Sequence, residues 1–84
     1  MKIARVDAGE IYINVGAEAG VQVGQVFYVV RKGKVITDPD TGEILGADET
    51  KVGQVKVAVV KGPRLSLCSA VSGTGFKAGD ILKP

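Results

Sequence analysis

The chain has no histidine and no tryptophan, a single cysteine at Cys68, and only four aromatic residues: Tyr12, Phe27, Tyr28 and Phe76. Each shortage removes a class of function. Without histidine the commonest general base and the commonest zinc ligand are missing, and the hydroxyls of Ser66, Ser69, Ser72 and Thr74 have no imidazole within the chain to activate them. One cysteine excludes an internal disulfide and leaves the redox compartment open. No Lys or Arg adjoins Cys68 to lower its pKa, so it reads as a small, partly buried side chain rather than a nucleophile. No apolar run reaches the roughly 18 residues a membrane helix needs. No basic start followed by an apolar stretch opens the chain, because Arg5, Asp7 and Glu10 interrupt it. The expectation is either a cytoplasmic protein or a module cut from a longer exported chain. Charge of one sign is also lacking: 11 basic residues face 9 acidic ones, and a net charge of +2 is too small to act as a field for nucleic acid or anionic lipid.

What remains is a β protein. Apolar residues are 45% and charged residues 24% of 84, the balance of a globular domain rather than a disordered one. Residues 1–84 are read as one domain with one core. Valine and isoleucine must supply that core, which favours strands, and 12 glycines in so short a chain call for many tight turns.

Along the chain, Lys2 to Val6 reads as a first strand turned by Asp7-Ala8-Gly9. Glu10 to Val15 alternates, with Ile11, Ile13 and Val15 on one face and Tyr12 and Asn14 on the other. Residues 16–20 form a small-residue loop with one helical turn. Val26 to Val30 is apolar on both faces, the mark of a central strand, and Arg31-Lys32-Gly33-Lys34 reads as its end. Asp48-Glu49-Thr50-Lys51 reads as a second polar interruption. Val52 to Val60 then places Val55, Val57 and Val59 on one face, with Gly53 marking a bend or bulge. Arg64 to Val71 is read with Leu65, Leu67 and Val71 inward and Ser66 outward, and Asp80 to Lys83 closes the set. No stretch has helical periodicity.

The strongest turn signal is Asp38-Pro39-Asp40-Thr41-Gly42. Pro39 presets the first central position of a type I turn, Asp38 accepts a backbone N–H, and Gly42 supplies the left-handed residue that closes the loop. Val35-Ile36 and Ile44-Leu45 flank it, which predicts a hairpin with a loop of four or five residues. Asp38, Asp40 and Glu43 do not have the spacing of a calcium loop, and no glycine stretch has phosphate-loop spacing. No metal, cofactor or catalytic residue is therefore assigned. An internal echo adds further turns: Gly20-Val21-Gln22-Val23-Gly24-Gln25-Val26-Phe27 matches Gly75-Phe76-Lys77-Ala78-Gly79-Asp80-Ile81-Leu82 in character, position by position. Val52-Gly53-Gln54-Val55 repeats its second half. Gly24 and Gly79 are read as tight corners that launch strands. The fold class that follows is all-β: a small closed or partly open barrel, of SH3 or OB size, with about six short, mostly antiparallel strands.

Ile11 to Gly16, Gly20 to Val29, Asp38 to Gly46 and Gly79-Asp80-Ile81, taken as an ordered set, resemble the C-terminal domain of the flagellar assembly protein T over about residues 2 to 82. The resemblance implies a small β-barrel at the end of larger periplasmic proteins that assemble surface structures, with a binding or scaffolding role and no enzyme activity. The expected function is a protein-interaction module of the bacterial envelope, with a protein partner and no membrane span. Its expected contact surface is the exposed side of the Val35–Ala47 hairpin, with Ile36 and Leu45, together with the Tyr12–Tyr28 region. The alternative is a cytoplasmic nucleic-acid-binding barrel, in which Tyr12 and Tyr28 stack bases and the basic turns at 31–34 and 61–64 touch phosphate.

Overall fold

The computed structural model describes all residues, 1–84. It is all-β: strands β1 (Ile3–Asp7), β2 (Glu10–Ile13), β3 (Val26–Thr37), β4 (Ile44–Gly62), β5 (Leu65–Gly73) and β6 (Ile81–Lys83), with one 3-10 turn at Ala17–Ala19. They form one six-stranded sheet in the order β1-β2-β5-β4-β3-β6, every pairing antiparallel. The chain runs β3-β4-β5 as a meander while β2 lies beside β5, a Greek-key arrangement. The sheet curls but is not closed. Its end strands meet only through the Lys2–Ile81 bridge and a few backbone hydrogen bonds, among them Ile3 N to Asp80 O at 2.9 Å and Leu82 N to Met1 O at 2.9 Å.

One core fills the curl. Ile3, Ile11, Ile13, Val21, Phe27, Val29, Val55, Val57, Cys68 and Leu82 are buried together, so every strand and the loop before β3 contribute to it. Each such aliphatic or aromatic side chain removed from water is worth about 1.5–3 kcal/mol. Between Val30 and Val52 no residue is buried and no apolar residue packs on this cluster.

The echo in the sequence is an echo in space. Gly24 and Gly79 both have φ +93, a conformation open to glycine and strained for other residues. Gly24 N donates to Val57 O and Val57 N to Gln25 O; in the same pattern Gly79 N donates to Ile3 O and Ile3 N to Asp80 O. Even the side chains correspond, since Gln25 Oε1 accepts from Gln22 N as Asp80 Oδ2 accepts from Lys77 N. Each corner launches a strand, β3 or β6, and seats the apolar residue that follows, Phe27 or Leu82, in the core. The third copy behaves differently. Gly53 lies inside β4, where a Cβ would collide with the Ser72 carbonyl oxygen and approach Gly73 Cα to 2.9 Å. It is a close-approach glycine rather than a corner.

Three expectations are corrected. β3 and β4 are not short: they hold 12 and 19 residues, and neither Arg31–Lys34 nor Asp48–Lys51 interrupts them. Paired with each other, these polar segments satisfy the backbone groups that face across the pair and stay in the ladder, Arg31 opposite Thr50 and Lys32 opposite Glu49. The inward face of β5 is the opposite of the one expected. Ser66 and Cys68 point in while Leu65 and Val71 are exposed, because Ser66 and Cys68 stand opposite the buried Ile13 and Ile11. The buried Ser66 hydroxyl is satisfied by donating to Val15 O at 2.7 Å. Val59 also faces out: the register between β4 and β5 shifts between Val57 and Val59, leaving Ala58 as an extra residue, and Val60 packs on the core in its place.

Candidate functional site

Beyond the barrel, β3 and β4 continue together as a two-stranded arm covering residues 32–50, which no other strand flanks. β6 pairs with β3 only at Tyr28–Val30, and β5 pairs with β4 only from Gly53 onward. The arm makes the molecule long, 48 × 26 × 17 Å, with a radius of gyration of 14.7 Å where a compact chain of this length has about 12 Å. No residue from 32 to 50 is buried.

The arm's tip is the turn read from the sequence. Gly42 N donates to Asp38 O and Asp38 N to Glu43 O, both at 2.8 Å, and Gly42 takes φ +74. The Asp38 carboxylate accepts the Asp40 N–H at 2.8 Å, and Thr41 Oγ1 accepts the Glu43 N–H at 3.2 Å. The acidic and hydroxyl side chains of the tip thus shape the loop. Behind the tip the apolar residues are bare: Ile44 is 67% exposed, Leu45 62%, Val35 56% and Ile36 47%. Both long edges of the arm present unpaired backbone N–H and C=O groups. Lys32 and Lys34 stand on one strand and Asp48 and Glu49 on the other.

Tyr12 and Tyr28 do not form one region. Tyr12 is on β2 and Tyr28 on β3, with β5 and β4 between them in the sheet, a separation of roughly 14 Å across three strand spacings. Each ring instead has at least one cation over it, and Tyr28 stays 42% exposed. Arg5 lies 4.8 Å and Lys61 5.8 Å from the Tyr12 ring centre, and Lys51 lies 5.1 Å from that of Tyr28. The Tyr12 hydroxyl donates to Glu10 Oε2 at 2.9 Å. A cavity of about 260 Å³ lined by Ala4, Arg5, Tyr12 and Leu65 lies beside it.

Ile36 and Leu45 do share a surface element, the arm, and Val35 and Ile44 extend it. The flanking positions of the hairpin were readable; that the hairpin would stand clear of the barrel was not. The sequence reading also missed an ion pair. Arg31 donates from Nε to Asp80 Oδ1 and from Nη2 to Asp80 Oδ2, both at 2.8 Å, and again from Nη2 to Gly75 O at 2.8 Å. The hydrogen bonds from Arg31, with a further one from Lys77 N–H, hold the Asp80 carboxyl below the usual carboxylate range against the opposing effect of its burial. The signal available in the sequence was the echo: Asp80 occupies the place of Gln25. Cys68 is buried, and desolvation pushes its thiol up to about 11, so the thiolate needed for nucleophilic chemistry is scarce at neutral pH. No protein family, curated protein or solved structure compared with this chain matches it.

Proposed function

We propose that the chain is a non-catalytic protein-interaction and scaffold module, in which the barrel is the holder and the arm of residues 32–50 is the contact element. The observation that carries this reading is the arm itself: a twin-stranded ribbon with open edges and four bare aliphatic side chains, Val35, Ile36, Ile44 and Leu45. An exposed edge accepts a partner strand by backbone hydrogen bonding, and alternate side chains then select among partners. The charged residues Lys32, Lys34 and Asp48 on the same edges oppose indiscriminate pairing, so a partner must match their charges. By the resemblance in the ordered motifs, the partner belongs to the assembly machinery of the bacterial envelope, in a flagellar or secretion context, and the module works in the periplasm.

The test is a site-specific photocrosslinker placed in turn at Leu45, Ile36 and, on the barrel, Ala70, in the protein expressed in its native cells. Discrete crosslinked species at Leu45 and Ile36 but not at Ala70, recovered from the envelope fraction, are the expected result. Absence of a discrete adduct at both arm positions would remove the arm as a contact element, and adducts recovered only from cytosol would remove the envelope assignment.

A further inference from the structure

A second feature lies where the arm joins the barrel. An open cleft of about 450 Å³ is lined by the segment 77–81 together with Lys2, Arg31 and Lys32. We propose that this cleft binds a small, multiply charged phosphate anion, such as a pyrophosphate or phosphate monoester group.

The charges in the cleft do not cancel. Lys2, Lys32 and Lys77 enter no ion pair, and the one acid present, Asp80, is only 4% exposed and fully engaged by Arg31 and the Lys77 N–H. Asp80 therefore offsets the charge of Arg31, and the three lysines leave the cleft with net positive charge. The second effect of Asp80 is geometric. Nε and Nη2 of Arg31 are spent on Asp80 and Gly75, which fixes the plane of the guanidinium and leaves both Nη1 hydrogens without a protein partner. An arginine held in advance loses little freedom when it grips an oxyanion, and its planar donors suit phosphate. The three unpaired lysines around it then supply the balancing charge.

The echoed corner provides an internal control. Around Gly24 the same turn is built with Gln25 in the place of Asp80, and its side chain makes the equivalent backbone hydrogen bond without any arginine. The turn thus needs neither Arg31 nor the lysines. Their gathering at only one of the two corners exceeds what the fold requires. The volume is also larger than a phosphate alone fills and lies within the range of about 300–1,000 Å³ typical of ligand sites, so part of the group carrying the phosphate would be accommodated.

The test is a titration of the intact 84-residue chain with sodium pyrophosphate at low salt, followed by backbone amide NMR. Inorganic sulfate and a single-stranded oligonucleotide are titrated in parallel. Saturable shifts confined to residue 2 and residues 31–32 and 77–81 are expected. Affinity should fall about tenfold in the double variant Lys32→Ala/Lys77→Ala and stay within about twofold in Lys56→Ala/Lys61→Ala, whose cations lie outside the cleft. Arg31→Lys, which keeps the charge and removes the fork, should also weaken binding about tenfold; if that variant does not fold, the lysine pair carries the test. No saturation by about 10 mM pyrophosphate, equal loss in both lysine pairs, or an oligonucleotide that binds more tightly with shifts elsewhere on the barrel would each overturn the proposal. The outcome is independent of the apolar end of the arm: crosslinking at Leu45 can succeed or fail without changing it.

Discussion

β3 and β4 pass through two different environments in one molecule. In the barrel, Phe27, Val29, Val55 and Val57 are buried, with the sheet's other strands closing over them. In the arm, Val35, Ile36, Ile44 and Leu45 are of the same residue classes in the same pair of strands, yet all four lie open. The hydrogen-bond ladder is continuous between the two regions apart from local register shifts. What differs is the presence of further strands, and hence of a second surface to pack against. Local β-propensity builds the ribbon in both places, while burial exists only where a third and fourth strand arrive. The stability of the domain should therefore reside almost entirely in the barrel, and the arm should be energetically cheap to alter.

The largest effect is expected from emptying the barrel core. Phe27→Ala should cost about 3–5 kcal/mol, a large fraction of the roughly 4–13 kcal/mol expected for a domain of this size, read as a fall in the urea midpoint. A mutant within about 1 kcal/mol of wild type would mean that the core is much looser than its burial indicates. Next comes Gly53→Ala, which drives a Cβ into the Ser72 carbonyl and should cost about 1–3 kcal/mol through forced backbone movement, measured by thermal unfolding.

Asp80→Asn is expected to cost about 1–3 kcal/mol at neutral pH, by weakening charged hydrogen bonds at a buried site. Here pH sharpens the reading. The Asp80 carboxyl sits below its ordinary range in the folded protein, so its contribution is complete above the unfolded value near 4 and is lost as pH falls further through the folded value. The difference between wild type and variant should therefore shrink in acid; a gap unchanged between pH 7 and pH 3 would contradict the ion-pair account. The smallest effect belongs to the arm. Ile44→Ser with Leu45→Ser should move the unfolding midpoint by no more than about 0.5 kcal/mol while abolishing the crosslink expected at position 36. A large loss of stability from that pair would erase the distinction between barrel and arm.

Legibility divides along the same line. The Asp38–Gly42 turn, the paired corners at Gly24 and Gly79, and the alternation of Glu10 to Ile13 were readable because each depends on residues close in sequence. The face of β5 was not: Leu65 and Leu67 looked inward on hydrophobicity, but register with β2 turned Ser66 and Cys68 to the core, and a hydrogen bond from Ser66 to Val15 made that tolerable. The exposure of Val59 depends on a register shift with no residue signature of its own. The site at Arg31 was hidden because its partner, Asp80, lies 49 residues away.

By itself, then, the sequence determined the strand-rich class, the placing of the turns and the want of any histidine-based chemistry, since these depend on residue type and short-range geometry. Only the tertiary structure decided which faces are buried, that the hairpin at Pro39 extends past the barrel as an arm, and that Arg31 meets Asp80 beside three unpaired lysines. The physical reason is that burial, register and ion pairing are properties of pairs of segments, and a segment cannot specify by itself which other segment will lie against it.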